Sequence, residues 1–127
     1  MSSLEITLDS TDPDAAAAFW TAALGYRRLR VREPYIVCGP SAADGRPLLL
    51  VQRVAAQSLG TKTPVHLDLR VADPQAEVQR LVKLGASIVT EVAEEQSVWT
   101  VLTDPQGLHF CVCPERPTDA DGRSSTP

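Results

Sequence analysis

Cysteine is scarce. Three in the whole chain are too few, and odd in number, for a disulfide scaffold. Long apolar runs are missing too. The longest apolar blocks cover 15–20 and 48–51, far short of the roughly 18 residues that a membrane span needs. The first residues, Met1-Ser2-Ser3-Leu4-Glu5, have neither a basic nor an apolar segment, so no secretory signal is expected. Cys38, Cys111 and Cys113 then read as reduced thiols in a cytoplasm. Basic residues do not dominate: 12 Lys and Arg stand against 16 Asp and Glu, a net charge of −4 with no basic stripe. That speaks against nucleic acid as a partner on electrostatics and suits a neutral or cationic small molecule. Nor is there a P-loop, a Gly-x-Gly-x-x-Gly or an ordered Ser, His and Asp set. Phosphoryl transfer, Rossmann-type dinucleotide binding and nucleophilic hydrolysis have no support.

What is present is the balance of a globular domain: 43% apolar and 22% charged residues in a chain of 127, enough to bury one core without staples. The chain also repeats itself. Asp12-Pro13 opens a helical stretch ending at Leu24-Gly25, and Asp73-Pro74 opens another ending at Leu84-Gly85, offsets of 61 and 60 residues. Each Asp is an N-cap with Pro in the first helical position, and each Gly sits where a helix terminates. The pattern predicts helices over 13–24 and 74–84. Strands are expected at 4–9, 26–32, 35–38 and 47–54, then at 65–71, 87–92, 97–103 and 108–113. Gly39-Pro40, Asp44-Gly45, Glu94-Glu95 and Asp104-Pro105-Gln106-Gly107 supply turns. The order is β-α-β-β-β, twice: module one over 4–54, module two over 64–113, and a single domain over 1–113. The polar, Pro-rich segment 114–127 is expected to be a disordered tail.

Strand alternation assigns faces. Leu4, Ile6 and Leu8 oppose Glu5, Thr7 and Asp9; Leu67, Leu69 and Val71 oppose His66, Asp68 and Arg70. Leu29 and Val31 oppose Arg28, Arg30 and Arg32; Leu48, Leu50 and Gln52 share a face. The aliphatic faces pack under the helices, and Phe19 and Trp20 pack on the sheet or on a neighbouring module rather than stack on a ligand. The polar faces are either solvated or curl into a ligand-sized hollow lined by Glu5, His66 and Asp68. Trp99 with Tyr35 is either an aromatic wall of that hollow or core. The three arginines either receive an anion or protect an edge strand by their charge.

Several motifs, in order and spacing, make the chain resemble the vicinal oxygen chelate superfamily of glyoxalase I, bleomycin- and fosfomycin-resistance proteins and extradiol dioxygenases. They are Asp12-Pro13 with Phe19-Trp20 and Leu24-Gly25-Tyr26, then His66 to Leu69, Asp73-Pro74, Leu84-Gly85-Ala86 and Asp104 to Val112. The resemblance covers about 4–113 and points to the glyoxalase-like branch. It implies an α+β fold: two pseudo-twofold-related β-α-β-β-β modules forming an eight-stranded, cup-shaped mixed sheet with the helices outside, completed as a homodimer.

The resemblance also implies where metal ligands belong: one on the first strand and one on the last strand of each module. The first-strand positions are Glu5 and His66, 61 apart. The last-strand position of module two, four residues after Gly107, is Cys111 where a Glu is typical. Its counterpart in module one is Leu50, with Gln52 as same-face neighbour. If a metal is bound, its ligands are Glu5, His66 and Cys111. These suit Zn²⁺ but not a hard ion, and with no carboxylate at 111 the expectation is no bound metal, a divalent ion being the alternative. His66 is otherwise a histidine fixed by Asp68 or Glu5, and Cys111 a small buried residue. Glu5, Gln52, His66, Asp68, Trp99 and Cys111 are the candidate pocket residues. The expected function is small-molecule binding without the full metal site; the alternative is a metal-dependent lyase, isomerase or dioxygenase.

Overall fold

The structure, a computed structural model, describes residues 3–56, 64–94 and 97–115. Ten elements follow one another: β1 (Ser3–Ser10), α1 (Pro13–Leu24), β2 (Tyr26–Arg32), β3 (Tyr35–Pro40), β4 (Leu48–Arg53), β5 (Val65–Val71), α2 (Pro74–Lys83), β6 (Ser87–Glu94), β7 (Ser97–Thr103) and β8 (His109–Pro114). With eight strands in mixed pairing and two helices the chain is α+β, and β-α-β-β-β occurs twice. Contacts divide it into two compact units. One is Glu5–Val65; the other is His66–Glu115 together with residues 3–4. Most of the segment expected to be a tail, and most of the link between modules, lie outside the described residues. Pro114 belongs to β8, and the Glu115 N–H donates to the Val71 carbonyl at 3.0 Å.

In module one the strands run in the order β2-β3-β4-β1, with β1 parallel to β4 and the rest antiparallel. The path explains the order. The chain leaves β1 through a helix, returns at the far edge and meanders back beside β1. Module two repeats it as β6-β7-β8-β5, with β5 parallel to β8. The repeat holds at the level of register: Thr7 lies opposite Leu50, and Asp68 lies opposite Cys111, each pair shifted by 61 residues. Both helices start as the sequence says. The Asp12 carboxylate accepts the Ala15 N–H at 3.2 Å, and the Asp73 carboxylate accepts the Ala76 N–H at 3.1 Å. Gly25 ends α1 at φ 68°, the left-handed conformation that glycine adopts without a Cβ penalty.

Each module has its own core. In module one Ala17 packs on Ile36, Cys38, Leu49 and Val51, with Ile6 and Leu8 beside them. In module two Val71, Leu102, Phe110 and Val112 pack under Val78 and Leu81 of α2. These are the helix-side faces that alternation assigns to β1 and β5.

Two expectations need correction. Leu29 and Val31 do not share a face, nor do the three arginines. The β2–β3 register shifts between Arg28 and Arg30, a bulge that puts the following residues out of alternation. Arg28 stands opposite Cys38 on the helix side and pairs with Asp14 of α1 at 2.9 Å. Arg30 and Arg32 stand opposite Val37 and Tyr35 on the other face. The same shift recurs in β6 between Ile88 and Thr90, so the bulge is duplicated with the module. The second correction concerns Phe19 alone, for which the sheet beneath α1 is the wrong one of the two expected places. Phe19 and Trp20 form an edge-to-face pair at 5.1 Å, and Phe19 is 62% exposed. At about 100° per residue, Phe19 sits about 200° round the helix from Ala17, whose small side chain is the one that faces the sheet.

Candidate functional site

The polar face of module two is built by parity and register. On β5, His66 and Asp68 are two residues apart and share a face. On β8, Cys111 lies opposite Asp68. On β7, Val101 lies opposite Cys111, and Trp99 follows two positions earlier on the same face, opposite Val92 of β6. The arrangement brings three different donors together. The His66 Nδ1 is 3.1 Å from the Asp68 Oδ1, with only 17% and 8% of the two side chains exposed. One ligand atom each from His66, Asp68 and Cys111 lies within 4.8 Å of the other two. Among the described residues no other group of three His, Cys, Asp or Glu converges in this way.

The chemistry follows from the contact. A carboxylate 3.1 Å from Nδ1 holds the imidazole ring in place on this face. Cys111 is half-buried, whereas Cys38 and Cys113 are buried. Burial pushes the Cys38 thiol above its ordinary range, against the opposing pull of the Arg28 guanidinium. Cys111 is therefore the thiol that a molecule on this face can reach.

Module one carries different residues at the matching places. Glu5 matches His66, Thr7 matches Asp68 and Leu50 matches Cys111. Glu5 and Thr7 are 3% and 2% exposed, and Leu50 is buried. Gln52 lies further along β4, opposite Asp9 of β1 and Tyr35 of β3. A hydroxyl and an aliphatic side chain stand where module two has a carboxylate and a thiol. Tyr35 and Trp99 hold equivalent positions, two residues before Val37 and Val101, which face Leu50 and Cys111 respectively.

Of the six sequence-derived pocket residues, His66, Asp68 and Cys111 form the cluster, and Trp99 shares its sheet face. Glu5 and Gln52 lie on the corresponding face of module one. Asp68 is the member that ligand counting by resemblance passed over. One signal was there, its place two residues from His66 on the same strand face; its position beside Cys111 comes from the β5–β8 register. Elsewhere, polar groups serve structure. Asp104 Oδ1 accepts the N–H groups of Gln106 and Leu108 at 2.9 and 2.8 Å, setting the turn that leads into β8. Arg46 stacks over Tyr26 and pairs with Asp44 at 2.9 Å, closing the loop before β4.

The family model described as "Glyoxalase-like domain" matches residues 5–113. No curated protein matches the chain. Among solved structures, one of a glyoxalase/bleomycin resistance protein/dioxygenase superfamily member from Vibrio splendidus 12B01 is 20% identical. It has a TM-score of 0.64 and covers 91% of this chain and 100% of its own. A Streptomyces coelicolor methylmalonyl-CoA epimerase variant in complex with 2-nitronate-propionyl-CoA is 17% identical. Its TM-score is 0.65, with 89% and 96% covered. A hypothetical protein from Bacillus halodurans C-125 is 12% identical, with a TM-score of 0.67 and 93% and 97% covered. At these identities the likeness is one of fold. No described helix is long and apolar enough to cross a membrane.

Proposed function

The chain belongs to the glyoxalase-like domain family, and from that premise we propose that it binds a small organic molecule on the polar sheet face of module two. The observation that carries this reading is the convergence of His66, Asp68 and Cys111 within 4.8 Å. Fold alone does not name a function, so the site must. Asp68 orients His66, and the imidazole takes a polar group of the ligand. Trp99 offers an apolar surface on the same face. The net charge of −4 favours neutral or cationic ligands. Acyl-CoA esters also enter the search, because a structure of this fold was solved with one.

The test is a thermal-shift screen. A ligand at about 100 times its Kd adds about 2.7 kcal/mol of stability, which for this length raises the melting temperature by several degrees. His66→Ala and Trp99→Ala should cancel the rise. A hit whose effect survives both substitutions places binding elsewhere, and a screen without hits across these classes removes the reading.

A metal-dependent lyase, isomerase or dioxygenase is the second reading, favoured by the mixed N, O and S donors of the same cluster. We also propose action as a homodimer in a reducing cytoplasm. Exposed Phe19, Val31 and Ile88 support the first part, and three cysteines in no disulfide the second. Sedimentation at a single-chain mass at micromolar concentration would remove the dimer.

A further inference from the structure

The superfamily resemblance places metal ligands in both modules, at Glu5, His66 and Cys111. The structure brings together a different set. We infer that His66, Asp68 and Cys111 form a three-donor site for a thiophilic divalent ion of the Zn²⁺ class, supplied entirely by β5 and β8 of module two. Asp68, a first-strand residue, provides the carboxylate that the last strand lacks. This goes beyond small-molecule binding, since an organic ligand can bind here without an ion and an ion without a ligand.

Three observations carry the inference. The first is spacing. Around a tetrahedral ion with bonds of about 2.0–2.3 Å, neighbouring donor atoms lie about 3.3–3.6 Å apart. The His66 Nδ1 and Asp68 Oδ1 stand 3.1 Å apart, and one ligand atom from each of the three residues lies within 4.8 Å of the other two, close to that spacing. The second is the frame. Asp68 and Cys111 face each other across a parallel ladder, and β8 is held on its other side by β7. The backbones that carry the donors are therefore fixed before any ion arrives. The third is desolvation. Asp68 and His66 are largely withdrawn from water, and a cation there neutralises a carboxylate and a thiolate at once.

The donor set also selects the ion. Imidazole, carboxylate and thiolate all serve Zn²⁺, whereas Mg²⁺, Ca²⁺ and Mn²⁺ prefer oxygen donors. Three protein ligands leave one position for water or an oxygen of the organic ligand, as in open zinc sites.

The experiment uses the full chain, stripped with chelator and then titrated with Co²⁺ and Zn²⁺. We expect uptake of about one ion per chain, with a thiolate-to-cobalt charge-transfer band that Zn²⁺ abolishes and Mg²⁺ does not. Cys111→Ser should remove the band while Cys113→Ser keeps it. Asp68→Asn should weaken binding at least about tenfold, the scale seen when groups around a metal are removed. A second readout needs no substitution: in the unaltered protein, Zn²⁺ but not Mg²⁺ should protect Cys111 from iodoacetamide, mapped by peptide mass spectrometry. The inference is overturned if stoichiometric uptake is absent, if the band survives Cys111→Ser, or if Asp68→Asn leaves affinity unchanged. The thermal-shift screen on metal-free protein judges small-molecule binding separately.

Discussion

Leu102→Ala should be among the most damaging single truncations in module two. Leu102 has no exposed surface; it lies on β7 opposite Ile88 of β6 and Phe110 of β8 and packs in the core beneath α2. Removing three carbon groups forfeits about 2.4 kcal/mol of transfer free energy at about 0.8 kcal/mol each. The hole adds to that. Strands on both flanks are pinned by their ladders, so only Val78 and Leu81 of α2 can settle into the space, and collapse is partial. With a cavity term near 24 cal/mol per Å³, the total comes to about 3.5 kcal/mol, inside the known range for Leu→Ala. Against a domain stability of about 5–15 kcal/mol this is a large fraction. Urea unfolding followed by circular dichroism gives the measurement. With a slope of about 2 kcal/mol/M, the midpoint should fall by about 1.7 M at unchanged slope. Leu84→Ala is the internal control. Leu84 is 67% exposed, so its truncation should stay within about 0.5 kcal/mol. A Leu102→Ala loss under about 1 kcal/mol, or one equal to the control, would refute a closed core around β7.

Three further outcomes are expected. Burial raises the Cys38 thiol above its ordinary value of 9.0, so the unfolded chain ionises first. This contribution to stability is complete below pH 9 and is lost as pH climbs towards the folded value. Cys38→Ala should therefore flatten the alkaline fall in urea midpoint between pH 8 and pH 10, and an identical fall in both proteins contradicts it. Asp73→Ala removes the acceptor for the Ala76 N–H and should cost about 1 kcal/mol, with Asp73→Ser recovering most of it; equal losses in both variants would discount the cap. Asp104→Ala strips the acceptor from two solvent-exposed N–H groups and should cost about 1 kcal/mol. Asp104→Asn keeps Oδ1 and should cost less by the same unfolding assay.

Much of the fold was legible because its signals are local. Asp-Pro at 12–13 and 73–74 starts helices where the caps are found, since a carboxylate reaches an N–H three residues on whatever surrounds it. Alternation alone set His66 and Asp68 on one strand face and Leu69 and Val71 on the other. The 61-residue period matched Leu50 of module one to Cys111 of module two, and the two modules do share one register there. What alternation could not see was the bulge after Arg28, which is a property of two paired strands and not of one. It separated Arg28 from Arg30 and Leu29 from Val31. Helix periodicity did not reveal that Ala17 faces the sheet and leaves Phe19 outside, because that choice depends on how closely a helix can approach a sheet. The candidate site divides the same way. Its residues were nameable one by one from sequence, but only the β5–β8 ladder decides that Asp68, and not a last-strand carboxylate, stands beside His66 and Cys111. Which donors share a site is set by hydrogen bonds between strands some 40 residues apart in the chain.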